Sequence, residues 1–208
     1  MNYDLQLDIT PIVKGKTVAI VGHAASLYLN DYGKEIDSAD IVVRFHLFNR
    51  SGFQESIGTR TDLWYCSDLA PEVIKNKESI INNKINGIPI CGKKPALLHR
   101  IRSNYNPVTL NYSDNPGTWS ATGIVSIMDC LISGASEVSV YGVDFWDSED
   151  VVPVNAKTQS VVKNIPRYIQ STYNDKCRLR ALQLERLPVK YDKVLQEIIN
   201  NTKLPGEL

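Results

Sequence analysis

Short apolar runs alternate along this chain with stretches whose apolar residues recur every three or four positions. The short runs predict strands at Thr17–Val21, Ile41–Phe45, Leu63–Cys66, Ile88–Cys91 and Glu137–Tyr141, with weaker signals at Ala96–His99 and Val108–Tyr112. The helical spacing predicts helices at Ser26–Ile36 (with Ser26 as N-cap), from about Glu72, from Ser120–Gly123 to a stop at Gly134, and at Tyr168–Leu187 and Tyr191–Asn201. This alternation predicts an α/β fold with a doubly wound, mostly parallel, Rossmann-like sheet.

Small and polar residues follow the predicted strands. His23 comes after the first strand, His46 after the second and Asp144 after the last, while Ser120–Gly123 opens a helix. Because doubly wound sheets bind ligands at the carboxyl ends of their strands, these positions predict one shared site.

Two of these turns have the composition of an anion site. Backbone N–H groups at a helix start favour a phosphate, and VGHAAS (21–26) and SATG (120–123) both lie where a helix is predicted to begin. A tight turn without a ligand is the alternative for the first, and simple N-capping is the alternative for the second. The G-x-G-x-x-G and G-x-x-x-x-G-K-[ST] patterns are absent, so nothing here indicates an NAD site or a P-loop.

Composition narrows the class of protein without naming it. A length of 208 residues, 43% of them hydrophobic, suits one domain (1–208) with a single core. Lys+Arg and Asp+Glu both number 23, so no overall basic field attracts nucleic acid. The four cysteines are widely spaced, which favours reduced thiols. With no apolar run long enough for a membrane span and no signal-peptide pattern, we expect a cytoplasmic protein.

Two blocks of the chain resemble the motifs of a known family. Residues 17–62 are similar to the large (L) motif of the eukaryotic-type sialyltransferases, with Val21-Gly22, Tyr32-Gly33, Glu35-Ile36-Asp37-Ser38, Arg44, Gly52-Phe53 and Arg60-Thr61 in place. Residues 116–145 resemble the small (S) motif through Pro116-Gly117-Thr118, Thr122-Gly123 and Val140-Tyr141-Gly142. Thr172-Tyr173-Asn174-Asp175 weakly resembles the third motif. The resemblance implies a sialyltransferase fold of the GT-A-variant type.

The family resemblance also implies an activity. Its members transfer a sugar from a CMP-sugar to an acceptor hydroxyl with inversion, and they need neither a metal nor a cofactor beyond the donor. Carried over position by position, it implies donor-binding roles for Gly22, His23, Ser26, Arg44, Ser120, Thr122, Gly123, Gly142, Asp144 and Tyr173. The transferred sugar is expected to be sialic acid, Kdo or another CMP-activated sugar. The short length leads us to expect a soluble member of the kind found in bacteria or their viruses.

The chain departs from the family at the positions that matter for catalysis. His23 and His46 stand where the family usually has Asn, and no His follows His99 to serve as the catalytic base of the last motif. Asp192 offers an acid in its place, five residues before Glu197, although a solvated helix face explains both residues. We predict His46 as the base and His23 as a phosphate contact, because imidazole titrates near neutral pH.

The acceptor is less well specified, and three alternatives stay open. A glycan or small saccharide is the first, and a modified base in viral DNA is the second, with a basic rim formed by Arg50, Arg60, Lys93, Lys94, Arg100 and Arg102. The third is a nucleotide-sugar binding protein without turnover. Asp144 and Asp147 are spaced three apart, which differs from a metal-binding D-x-D, so we predict no metal site.

Overall fold

A computed structural model describes residues 8–45, 52–66, 88–91, 122–145, 147 and 166–207. The strands are β1 (Thr17–Val21), β2 (Ile41–Phe45), β3 (Leu63–Cys66), β4 (Ile88–Cys91), β5 (Glu137–Tyr141) and β6 (Val189–Tyr191). The helices in this part of the chain are α1 (Thr10–Val13), α2 (Gly33–Ser38), α3 (Gln54–Ile57), α4 (Thr122–Ile132), α5 (Pro166–Leu184) and α6 (Lys193–Asn200), with a 3₁₀ turn at Ala25–Leu29.

The six strands form one parallel sheet in the order β4-β3-β2-β1-β5-β6. From β1 the chain first winds outward through β2 to β4 and then returns to place β5 on the other side of β1. The order therefore reverses between β1 and β5, which makes their carboxyl ends the topological switch point. The predicted doubly wound α/β fold and the bounds of the first five strands are confirmed.

Side chains alternate between the two faces of the sheet and build two cores. On β1, Val18 and Ile20 pack with residues of α4, α5 and α6 and with Ile9 and Val13 around α1. Ala19 and Val21 face the other way, against the 3₁₀ turn, α2 and α3. Strands buried on both faces explain the nearly continuous apolar runs in the sequence.

The predicted helix at Ser26–Ile36 is wrong, because the chain forms two separate short elements there. The Asn30 side-chain amide donates to the Ser26 carbonyl at 2.9 Å, and Asn30 itself has extended backbone angles (φ −136°, ψ 152°). Such a side chain competes with helical hydrogen bonds. Ser26 is not an N-cap either, since Ala24 holds that position without a side-chain hydrogen bond.

The sequence prediction missed β6, ended the helix before it at Leu187 instead of Leu184, and began the last helix at Tyr191, inside the strand. α5 ends at Leu184, Arg186 takes a left-handed conformation (φ 56°), and the Pro188 carbonyl accepts a hydrogen bond from the Val138 N–H at 2.8 Å. Tyr191 belongs to this strand, and the last helix begins only after Asp192. The predictions at Ala96–His99, Val108–Tyr112 and Glu72 lie outside the described residues.

None of the described helices combines the length and the apolar character that a bilayer span needs.

Replacing Gly22 by Ala tests the close approach of β1 and β5. An added Cβ would overlap the carbonyl oxygen of Gly142, and backbone cannot rotate away as a side chain can. We expect Gly22→Ala to lower the free energy of unfolding by about 2–4 kcal/mol in a urea titration. Gly206→Ala is the control, because its Cβ meets nothing within 4 Å and only the positive φ of 95° opposes it, at about 1 kcal/mol. Equal losses in the two variants would contradict the account.

Candidate active site at the switch point

Two glycines bring the ends of β1 and β5 into backbone contact. The Gly22 N–H donates to the Tyr141 carbonyl at 2.8 Å, and the Ala24 N–H donates to the Gly142 carbonyl at 3.0 Å. Gly142 has a φ of 64°, and a Cβ there would lie 2.8 Å from a methyl carbon of Leu27. Two of the three predicted donor-binding glycines, Gly22 and Gly142, therefore lie where β1 and β5 meet, at positions with room for a hydrogen but not for a side chain.

Asp192 fastens the turn after β5 to the start of α6. Its Oδ2 accepts the Gly142 N–H at 2.6 Å, and its Oδ1 accepts the Leu195 N–H at 2.9 Å, so the side chain is the N-cap of α6. Burial raises the pKa of this carboxyl, and hydrogen bonds from the backbone of Leu195, Gly142 and Val194 oppose that rise. The structure gives Asp192 a positioning role, because both carboxylate oxygens already serve the backbone.

His23 lies at the same edge of the sheet and binds the end of β2. Its Nε2 is 2.6 Å from the Phe45 carbonyl oxygen, and the two rings meet edge to face with centroids 5.1 Å apart. Since a carbonyl only accepts, Nε2 carries the hydrogen and Nδ1 is the lone-pair nitrogen of the neutral ring. Burial lowers the pKa of His23 to about 4; the Phe45 hydrogen bond opposes this shift, and the charge of Arg44 adds to it.

The start of α4 faces these strand ends through the same aromatic ring. A Cβ on Gly123 would lie 2.9 Å from the Phe45 Cζ, so the phenyl ring separates the first turn of α4 from His23. Thr122, the first residue of α4, is 7% exposed, and its Oγ1 finds no hydrogen-bond partner in the described residues. The two turns predicted to bind an anion thus lie on either side of Phe45. The sequence pattern does not single out Phe45, because it is the last residue of an apolar strand.

Arg44, on β2, holds neighbouring segments of the chain together. The residue is 1% exposed, and its guanidinium donates to the Ile57 carbonyl at 2.5 Å and to the Arg60 carbonyl at 3.1 Å. A third bond, at 3.1 Å, reaches the Thr61 hydroxyl. These contacts fix α3 and the segment before β3 against the sheet, which suits a scaffold role.

The remaining predicted residues are placed as follows. Asp144 is buried after β5, and its carbonyl accepts the Asp147 N–H at 3.1 Å. Ser26 is half-buried in the 3₁₀ turn, and Tyr173 lies on α5 with its hydroxyl donating to the Lys203 carbonyl at 3.0 Å. His46 and Ser120 fall outside the described residues. Within the described ranges, no three His, Cys, Asp or Glu side chains come together as a group that could hold a metal ion.

A family model matches the first part of the chain. Residues 13–86 match the family model described as glycosyltransferase family 29 (sialyltransferase), and this range contains the whole predicted L motif. The resemblance is confirmed. The chain is a sialyltransferase-like glycosyltransferase.

Solved structures show the fold of this glycosyltransferase in other proteins. The sialyltransferase CstII from Campylobacter jejuni, in complex with the substrate analogue CMP-3FNeuAc, is 12% identical, with a TM-score of 0.60 over 91% of this chain and 89% of that chain. CST-II in complex with a trisaccharide acceptor and CMP is 14% identical, with a TM-score of 0.58 over 90% and 86%. An alpha-2,3-sialyltransferase from Campylobacter jejuni in apo form is 13% identical, with a TM-score of 0.53 over 91% and 83%. No curated protein matches the chain.

The lowered pKa of His23 predicts a specific loss of stability in acid. Above pH 6.5 the imidazole is neutral in both the folded and the unfolded glycosyltransferase and contributes no pH dependence. Between pH 6.5 and about 4 the unfolded chain binds a proton that the folded chain does not, so the free energy of unfolding falls, by about 3 kcal/mol at pH 4.

The variant His23→Gln removes this titration and places a side-chain N–H where Nε2 donates to the Phe45 carbonyl. In urea titrations at pH 7.5 and 4.5, we expect the variant to lose less stability on acidification than the wild type. Asp192 titrates in the opposite direction, but it is present in both proteins and cancels from the difference. Equal acid losses in the two proteins would show that His23 is not held neutral.

Proposed function

We propose that this glycosyltransferase moves a sugar from a CMP-sugar to an acceptor hydroxyl, with inversion and without a metal. The observation that carries the proposal is the meeting of the turns after β1 and β5 at the switch point, with Phe45 beside both His23 and the first turn of α4. The proposed nucleotide crevice lies there. Nucleotides bind doubly wound sheets at this position. That CstII and CST-II, which share the fold, were solved with CMP-3FNeuAc and with CMP and a trisaccharide acceptor supports the choice of cytidine and of a saccharide acceptor.

The start of α4 supplies what a departing nucleotide needs. When the acceptor oxygen attacks the anomeric carbon, the bond from that carbon to the phosphate oxygen breaks and CMP leaves with additional negative charge. Fixed N–H groups at the N-terminus of an eleven-residue helix stabilise this charge, and the Thr122 hydroxyl is a ready donor beside them. Electrostatic stabilisation of this kind replaces a metal ion in the proposed reaction.

The acceptor hydroxyl must also lose its proton, and the site narrows the choice of base. Asp192 is bound to two backbone N–H groups and is the weaker choice. His23 offers only its Nδ1 lone pair, and with a pKa of about 4 it takes a proton poorly at neutral pH. A neutral ring whose Nε2–H is given to Phe45 also has no second N–H for a phosphate. We therefore keep His46 as the proposed base and assign His23 to orienting substrate through Nδ1.

The DNA alternative has less support than a saccharide acceptor. Of the residues predicted to form a basic rim, Arg60 lies in the described part of the chain. Its guanidinium donates to the carbonyls of Asp37 and Ala39 at 2.8 and 2.6 Å, and it pairs with Asp62 at 2.8 Å. A guanidinium used in this way holds the chain together and does not present its charge to a phosphate backbone.

Release of CMP tests the proposal directly. The wild-type protein is incubated with CMP-sialic acid or CMP-Kdo and a panel of saccharides, and free CMP is measured. We expect acceptor-dependent CMP release that persists in EDTA, since no step requires a metal. Turnover abolished by EDTA would contradict the metal-independent mechanism, and no CMP release with any donor would favour a binding protein without turnover.

The same assay distinguishes the proposed roles of His46 and His23. We expect His46→Ala to reduce turnover by about 10²–10⁴-fold, as loss of a general base does. His23→Gln, whose amide N–H can take the place of Nε2–H toward the Phe45 carbonyl, is expected to retain more activity than His23→Ala. If His46→Ala and His23→Ala both keep near wild-type turnover, the assignment of the base is wrong.

A further inference from the structure

A cleft of about 540 Å³ lies between α5, α6 and Asp147. One wall consists of Val194, Glu197 and Ile198 from α6 and of Asn201, its C-cap, and these residues form one stripe because they are spaced three and four residues apart. The opposite wall includes Tyr173 and Lys176 from α5. The volume lies in the range of small-ligand sites, which suits a short saccharide.

The cleft borders the switch point. Asp147 is joined to the turn after β5, because its N–H donates to the Asp144 carbonyl at 3.1 Å. The α6 wall begins at the helix whose N-cap, Asp192, accepts the Gly142 N–H. One loop and one helix therefore connect the two places, so a molecule in the cleft lies beside the crevice proposed for the nucleotide.

The charges that line the cleft cancel. Asp147 and Glu197 supply two carboxylates, and Lys176 and Lys203 supply two ammonium groups. Lys176 lies 3.6 Å from Asp147 and 5.3 Å from the centre of the Phe145 ring. A polyanion such as DNA needs uncompensated cations, which this lining does not offer.

The other lining groups are those that recognise hydroxyl-rich, uncharged molecules. Carboxylates accept hydrogen bonds in fixed directions, and the Asn201 amide both accepts and donates them. The side chains of Val194 and Ile198 present apolar surface between these polar groups, as the carbon face of a sugar ring requires. The Tyr173 hydroxyl is tied to the Lys203 carbonyl at 3.0 Å, which holds its ring in the wall.

We propose that this cleft, lined by Asp147, Tyr173, Lys176, Glu197 and Asn201, binds the acceptor, and that the acceptor is a neutral saccharide. This inference rests on the proposed function, because it names the second substrate of the same reaction. It gives Glu197 and Asp147 a specificity role: each carboxylate accepts hydrogen bonds from acceptor hydroxyls. Tyr173 accordingly serves the acceptor side of the site.

The test uses the full chain on a printed array of neutral and acidic oligosaccharides, with a short DNA duplex as a further probe. We expect binding to neutral oligosaccharides, and we expect Glu197→Gln and Lys176→Met each to weaken it about tenfold, the loss typical of a hydrogen bond to a charged group. Matched controls are Glu137→Gln and Lys190→Met, which break an ion pair of 2.7 Å on β5 and β6. Neither control residue lines the cleft, so both should bind as the wild type does.

Stabilisation by CMP against thermal unfolding is measured on the same proteins to separate the two claims. Cleft variants that keep the CMP effect and lose oligosaccharide binding support the proposal. It is overturned if the wild type binds no oligosaccharide, if it binds only acidic ones or DNA, or if the cleft variants bind as well as the controls. Loss of the CMP effect in the wild type with saccharide binding intact would instead reject the cytidine donor and leave the cleft assignment standing.

Discussion

The contact between Gly22 and Gly142 is the constraint on which the rest of the structure depends. It joins the two strands where the winding of the sheet reverses, and a side chain at either position would displace backbone or the buried Leu27. Because the two turns meet, the Gly142 N–H donates to Asp192, and the Gly142 carbonyl accepts the N–H of Ala24, the N-cap of the 3₁₀ turn. The crevice thus has a rigid floor made of backbone.

Polar groups around this floor divide into those that hold the structure and those left for a substrate. Arg44 and Asp192 are buried and satisfied by protein atoms, which makes them supports. Thr122 is buried, and the described residues offer its hydroxyl no partner. An unpaired buried hydroxyl lowers stability, so its position at the head of a helix is understandable if a ligand completes it.

The sequence predicted the central strands well because buried parallel strands are short apolar runs with clear ends. The sequence-based prediction failed where tertiary contacts decide which local structure forms. Asn30 ends the 3₁₀ turn through a bond to the Ser26 carbonyl, and β6 is a three-residue strand that exists because β5 lies beside it. Which nitrogen of His23 carries the proton could not be predicted either, because the partner of Nε2 is the carbonyl of Phe45, 22 residues away in the chain. Asp192 could be singled out from the sequence, but its function as a cap depends on the Leu195 and Gly142 N–H groups, and Gly142 comes from a distant strand.

Thermal unfolding with CMP, UMP, UDP and NAD, in the wild type and in Thr122→Val, tests the central claim that the switch-point crevice is a cytidine nucleotide site. A ligand present at about 100 times its Kd stabilises the folded state by about 2.7 kcal/mol, which raises the Tm of a chain of this size by roughly 5–11 °C. The account predicts a rise of this order for CMP, little or none for UMP, UDP and NAD, and a smaller CMP effect in Thr122→Val, whose own Tm without ligand is not reduced. No stabilisation by CMP, or equal stabilisation by all four nucleotides, would contradict it.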